Sequence, residues 1–88
     1  MFIKHIKEME EMREDIEQRV LSLIEDASWF EKEIHLDDNI FIEIGFDDLD
    51  YMELIIELEK EFGIQLPDEE IYDVVTPRDI INLILEKI

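Results

Sequence analysis

The chain has no cysteine, only two glycines and two prolines, and just eight basic residues among its 88. Without cysteine there can be no disulfide framework, zinc-thiolate site or thiol nucleophile. Stability has to come from a core, and a chain this short makes one domain with a modest core. Long apolar runs are missing as well. A membrane-spanning helix needs about 20 consecutive apolar residues, and the start Met1-Phe2-Ile3-Lys4-His5-Ile6 lacks the unbroken apolar stretch and cleavage site of a secretory leader. A soluble, cytoplasmic protein is expected. No segment alternates strictly between apolar and polar residues, so half-buried strands are not expected, and there is neither an internal repeat nor a low-complexity tract.

The scarcity of bases contrasts with 26 acidic residues, for a formal net charge of −18. Such a chain repels nucleic acid and anionic lipid, and is drawn to basic protein surfaces at a rate that falls with salt. A hydrophobic content of 47% with helical periodicity distinguishes it from an acidic disordered segment.

Phe2, Ile6, Met9, Ile16, Val20, Leu23 and Ala27 fall at helical spacings of three and four, with Arg13 breaking the series. This predicts one long amphipathic helix from about Ile3 to Ala27. Ile16 to Ala27 is expected to face the core, whereas Phe2 to Met12 suits a partner-binding face equally well. From Ser28 to Phe46 the periodicity fails. The apolar residues there, among them Trp29, Phe30, Ile34, Leu36, Ile40, Phe41, Ile42 and Ile44, predict a long loop packed down by its own side chains, with a helical turn near Ile40 to Glu43. Asp47 is a suitable N-cap for a helix carrying Asp48 and Asp50 in its first turn. That helix is expected to reach Phe62, with Gly63 just past its end and Ile64 reaching back to Leu58. Its apolar residues Leu49, Met52, Ile55, Ile56, Leu58 and Phe62 predict packing over a broad surface. Pro67 and Asp68 predict a stop and a restart, with Asp68 capping a short helix. Thr76 before Pro77, with Asp79 at the third position, opens a last helix that runs toward Ile88. The result is an all-α chain of four helices with a long loop after the first.

Gly45-Phe46-Asp47-Asp48-Leu49-Asp50, continued through Tyr51-Met52-Glu53-Leu54 to Leu58-Glu59-Lys60-Glu61-Phe62, resembles the Gly-x-Asp-Ser-Leu-Asp stretch of acyl carrier proteins. Leu66-Pro67-Asp68-Glu69-Glu70 and Val75-Thr76 extend the resemblance, which covers the chain from roughly Ile16 to its end. It implies a single acyl-carrier-like domain over residues 1–88, a four-helix bundle with a short third helix, and residues 1–14 as an N-terminal helical extension. In that family the motif serine carries 4′-phosphopantetheine. Asp48 stands at that position, and its carboxylate cannot replace the hydroxyl nucleophile, so no cofactor is expected on this sequence. The resemblance also implies a docking surface for basic partner enzymes of acyl transfer, fatty acid or polyketide and lipid biosynthesis. The matching residues are Asp47, Leu49, Asp50, Met52, Glu53, Glu59, Glu61 and Asp68. Lys60 stands where the family commonly has another acid.

Charge patterning supports that surface independently. Ten carboxylates and one base lie between Asp37 and Glu61, and Asp50, Glu53 and Glu57 share one helical face. Like charges so spaced each cost a few tenths of a kcal/mol, so the stripe is a mild burden on folding. Other chemistry falls away. The twelve-residue ligand pattern of a calcium loop is absent around Asp47, Asp48 and Asp50. His5 and His35 have no neighbouring ligand pattern. Ser22 and Ser28 have no histidine or lysine placed in sequence to activate them, so no enzyme is expected. Three accounts of Asp48 stand: a natural carrier relative that lost its attachment site, a working carrier engineered from serine to aspartate, and an unrelated acidic helical adaptor. A monomer is expected, with weak self-association through residues 2–12 by way of Phe2, Ile6 and Met9 as the alternative.

Overall fold

The computed structural model of the chain describes residues 2–28 and 33–88, and the side chains of its first helix from Glu10 onward. Four helices follow one another: α1, Phe2–Ala27; α2, Asp48–Phe62; α3, Asp68–Ile71; and α4, Pro77–Lys87. There is no strand among the described residues. Helix α1 packs against both α2 and α4. The core forms where they meet: Ile16, Val20 and Ile24 from α1, Leu54, Ile55 and Leu58 from α2, and Ile80, Ile81 and Ile84 from α4, all almost wholly buried.

The buried stripe of α1 differs from the expected one. It steps in fours from Ile16 to Val20 to Ile24, whereas Leu23 is half-buried and Ala27 exposed. A helix turns 100° per residue, so steps of four drift steadily round the axis and the contact line rotates away from Leu23 and Ala27 toward Ile24. Arg13 breaks the stripe because it serves the polar edge, bonding Asn82 on α4 at 3.2 Å and pairing with Glu17. The expected packing roles of Phe2, Ile6, Met9, Trp29 and Phe30 lie outside the described side chains.

The loop before α2 is built down onto the bundle. Ile34, Ile40, Ile44 and Phe46 are buried, while Ile42 is exposed. Asn39 organises the turn at 40–43: its carbonyl accepts from the amides of Glu43 and Ile44, and its side-chain oxygen accepts from those of Phe41 and Ile42. The loop is tied to the start of α4, where Arg78 donates to both carboxylate oxygens of Asp37 at 2.8 and 3.2 Å. This pairing holds the Asp37 carboxyl below its ordinary value. Main-chain bonds from Ile40 to Val75 and from Arg78 to Leu36 complete the seam.

The caps of α2 and α4 follow the sequence. Asp47 and Asp50 form a reciprocal capping box, Gly63 is left-handed at φ 64° and sends its amide back to Glu59, and Thr76 accepts from Asp79 ahead of Pro77. At α3 the cap is Pro67, not Asp68. Its extended backbone places its carbonyl under the amides of Glu70 and Ile71, and no side chain completes the cap. Asp68 therefore starts the helix, where its charge still suits the positive end.

Helix α2 buries only Tyr51, Leu54, Ile55 and Leu58, which corrects the expectation of broad packing. Leu49, Met52 and Ile56 are exposed at 66%, 41% and 46%. Of the buried residues in α2, the sequence reading marks neither Leu54 nor Tyr51. The Tyr51 hydroxyl donates to the carbonyl of Val74 at 2.8 Å and its ring meets Phe41 at a centroid distance of 5.0 Å, bolting the α3–α4 connection to α2. Burial, with the nearby Asp79 charge second, pushes this phenol up from 10.0 to about 12. The unfolded chain releases the proton near 10.0 and the folded one holds it until about 12. Its contribution is therefore complete below the lower value and lost as pH rises through the upper. Urea melts across this window should show falling stability, with a shallower fall in Tyr51→Phe.

Candidate functional site

The site is built on α2, whose two long faces do different things. Residues 51, 54, 55 and 58 lie on the core side, as spacings of three and four require. Leu49, Met52 and Ile56, again three and four apart, form an apolar stripe in solvent. A row of three partly exposed large apolar side chains is a candidate contact surface. Ile56 was counted from sequence only as core surface. Its spacing from Leu49 and Met52 was the available signal.

The carboxylates separate into free and engaged groups. Glu53 is exposed on the same side, and Glu57 lies 3.8 Å from Lys60. Asp47 and Asp50 spend oxygens on the cap, at 2.8 and 3.1 Å from each other's amides. Glu59 is turned to the following loop, accepting from the amide of Leu66 at 2.9 Å. Glu61 is held by Arg19 at 3.0 Å, the guanidinium also lying 4.5 Å from the Phe62 ring centroid. This contact raises the pKa of Arg19 above its ordinary value. Asp68 is exposed at the start of α3, beyond the loop that follows α2. The structure thus brings Leu49, Met52, Glu53 and Glu57 together on one exposed face, places Asp47 and Asp50 at its head, and ties Glu59 and Glu61 into the fold.

Asp48 occupies the first position of α2, exposed and outside the hydrogen bonds of the cap. Its charge is favoured there by the helix dipole. Between the end of α1 and α2 runs an open groove of about 240 Å³, lined by Leu23, Ala27, Glu53, Leu54, Ile56 and Glu57. A second hollow of about 260 Å³ continues it past Ala27 and Glu53 to Asp26, Ser28 and Asp50. Among the described residues no three acidic or histidine side chains are grouped to hold a metal ion. His35 makes its contacts with Glu33 and Asp38 in the loop, away from α2. The arrangement offers binding: an apolar stripe, free carboxylates and an exposed helix start.

Comparison with known proteins bears on the family and the fold. The family model described as a phosphopantetheine attachment site matches residues 18–84. The chain is similar to the acyl carrier protein of Rickettsia bellii (strain RML369-C), 36% identical over 74 residues, covering 83% of this chain and 86% of the relative. It is also similar to the acyl carrier protein of Chloroherpeton thalassium, 39% identical over 75 residues, covering 84% of this chain and 94% of the relative. A solved structure described as an acyl carrier protein from Mycobacterium tuberculosis superposes with a TM-score of 0.76 over 81% of this chain and 96% of that one. At 24% identity that likeness speaks for the fold.

Proposed function

The chain belongs to the acyl carrier protein family, and on that premise we propose that it is a carrier-type docking module whose attachment position is filled by Asp48. The family is one of carriers, not enzymes, and the chain is not itself an enzyme. Family membership removes the account of an unrelated acidic adaptor. The two remaining accounts, natural loss of the serine and engineered replacement of it, share the same chemistry.

Phosphopantetheine does not fit the residues at the head of α2. Asp48 supplies a carboxylate where transfer needs a hydroxyl, and a carboxylate would give at best a labile acyl phosphate. What remains is recognition. Leu49, Met52 and Ile56 form the apolar centre of the docking face, Glu53 and Glu57 its charged edge, with Asp47, Asp50 and Asp68 setting the field around it. Glu59 and Glu61 act indirectly, by fixing the C-terminal end of α2 to the loop that follows it and to α1. The partner is a protein with a basic patch, and the acyl-transfer and lipid or polyketide biosynthetic enzymes of the cytoplasm have the expected chemistry. Residues 1–14 are an extension beyond this domain, consistent with a family match that begins at residue 18. Among the described residues no helix is long and apolar enough to cross a membrane.

The observation that carries this reading is the exposed stripe Leu49-Met52-Ile56 on a helix whose opposite face is buried. Glu53→Lys and Glu57→Lys are each expected to weaken a basic carrier-dependent enzyme's binding, by about fivefold for a charge contact worth ~1 kcal/mol at low salt. They should also flatten its salt dependence. Calorimetric titration across salt tests this; equal affinities for wild type and both variants throughout would remove the docking face.

A further inference from the structure

Helix α1 outruns the bundle. Arg19 grips the last turn of α2 through Glu61 and Phe62, so the N-terminal part of α1 continues past the end of α2. At 1.5 Å per residue, Phe2 lies roughly 16 Å beyond Arg13, which still reaches Asn82 on α4. The segment from residue 2 to residue 9 carries Lys4 and Lys7 against the single acid Glu8, and no eight-residue stretch elsewhere in this acidic chain has a net positive charge. Phe2, Ile6 and Met9 recur in it at spacings of four and three. It is a short basic arm with an apolar repeat, on a chain of net charge −18.

Its complement lies at the other end of the same helix. The trough between α1 and α2 has Leu23, Ala27, Leu54 and Ile56 for its apolar lining and Asp26, Asp50, Glu53 and Glu57 along it, with no lysine or arginine among the lining residues. Lengths agree as well: residues 2 to 9 and residues 50 to 57 are each eight helical residues, about 10 Å from first to last. The arm cannot reach its own trough, because some twenty residues of continuous helix, about 30 Å, separate them.

We infer that the basic arm of one chain docks in the acidic α1–α2 trough of a second copy. Each chain offers one arm and one trough. An antiparallel pair of α1 helices satisfies both at once, giving a closed two-fold dimer and not a filament. The like net charges of the two chains oppose the pairing, but at physiological salt such repulsion is screened beyond about 8 Å, whereas the arm and trough meet at contact. The dimer is therefore weak, and it covers Glu53 and Glu57, so it competes with any basic partner of that face.

Sedimentation equilibrium of the full chain, with no partner protein present, tests the pairing separately from the docking reading. The wild type should show a reversible monomer–dimer equilibrium. An arm-reversed variant (Lys4→Glu with Lys7→Glu) and a trough-reversed variant (Glu53→Lys with Glu57→Lys) should each lose at least about tenfold in self-association. Their equimolar mixture should recover a heterodimer, since both of its contacts again join opposite charges. Far-UV circular dichroism of the variants should match that of the wild type. A monomeric wild type, variants that dimerise like it, or a mixture that stays monomeric would overturn the inference. So would a monomeric wild type that binds vesicles of anionic phospholipid, which would assign the arm to a lipid surface.

Discussion

Incubated with coenzyme A and a broad-specificity phosphopantetheinyl transferase, the chain is expected to keep its mass, while Asp48→Ser is expected to gain one phosphopantetheine. The effect is all or none because the difference is one of chemical type: a hydroxyl is the required nucleophile and a carboxylate is not. The substitution should leave the fold undisturbed. Asp48 is exposed and takes no part in the capping box formed by Asp47 and Asp50, so the helix start survives its removal. The lost dipole interaction costs about 0.3–1 kcal/mol at most. Intact-mass measurement of the two proteins side by side separates the outcomes. Modification of the variant alone describes a carrier scaffold disabled only at its attachment residue. Modification of the wild type, mapped to Ser22, Ser28 or any other residue, would refute the reading of Asp48. If neither gains mass, the surface read by the transferase has diverged too, and a basic protein partner becomes the object of search.

How much of this was legible in the sequence depended on whether a feature was local. The Asp47 cap, the Gly63 turn and the Thr76-Pro77 start are written in residues that act on their own neighbours within one turn, so each was readable at its position. The loop required tertiary information. Nothing in Asp37 or Arg78 taken alone announces their 2.8 Å contact across 41 residues, and Tyr51 stands inside an acidic motif with no sign that its hydroxyl would meet the carbonyl of Val74. The rotation of the α1 stripe from Leu23 to Ile24 came from the same source, since both residues are apolar and only the positions of α2 and α4 choose between them. For the proposed site, the charge pattern pointed to α2 but not to which of its carboxylates are engaged in the fold: Glu59 and Glu61 look like Glu53 and Glu57 in sequence, and differ in finding Leu66 and Arg19 beside them. Ile56 was misjudged because period alone does not tell a second apolar face from a broad core.

The division of α2 into a core face and a proposed contact face predicts that truncations on its two sides fail in opposite ways. Leu58 is fully buried at 0% exposure, among the nearly inaccessible Val20, Ile24, Ile80, Ile81 and Ile84. Leu58→Ala should cost about 2–5 kcal/mol, because the lost transfer energy is joined by a cavity that helices anchored on three sides cannot close. A domain of this size holds of the order of 5–10 kcal/mol in all, so the variant should lose a large part of its stability, with its urea midpoint sharply lowered. Leu49 is 66% exposed, and Leu49→Ala should leave the midpoint within the roughly 0.5 kcal/mol typical of surface changes. Its loss should appear in partner affinity, where an apolar anchor at the centre of an interface contributes most. Urea melts and binding measured on the same two variants check both halves. A Leu49→Ala protein that binds normally would show that the exposed stripe is not the contact surface, and a Leu58→Ala protein with wild-type stability would show that α2 is not held where the core packing places it.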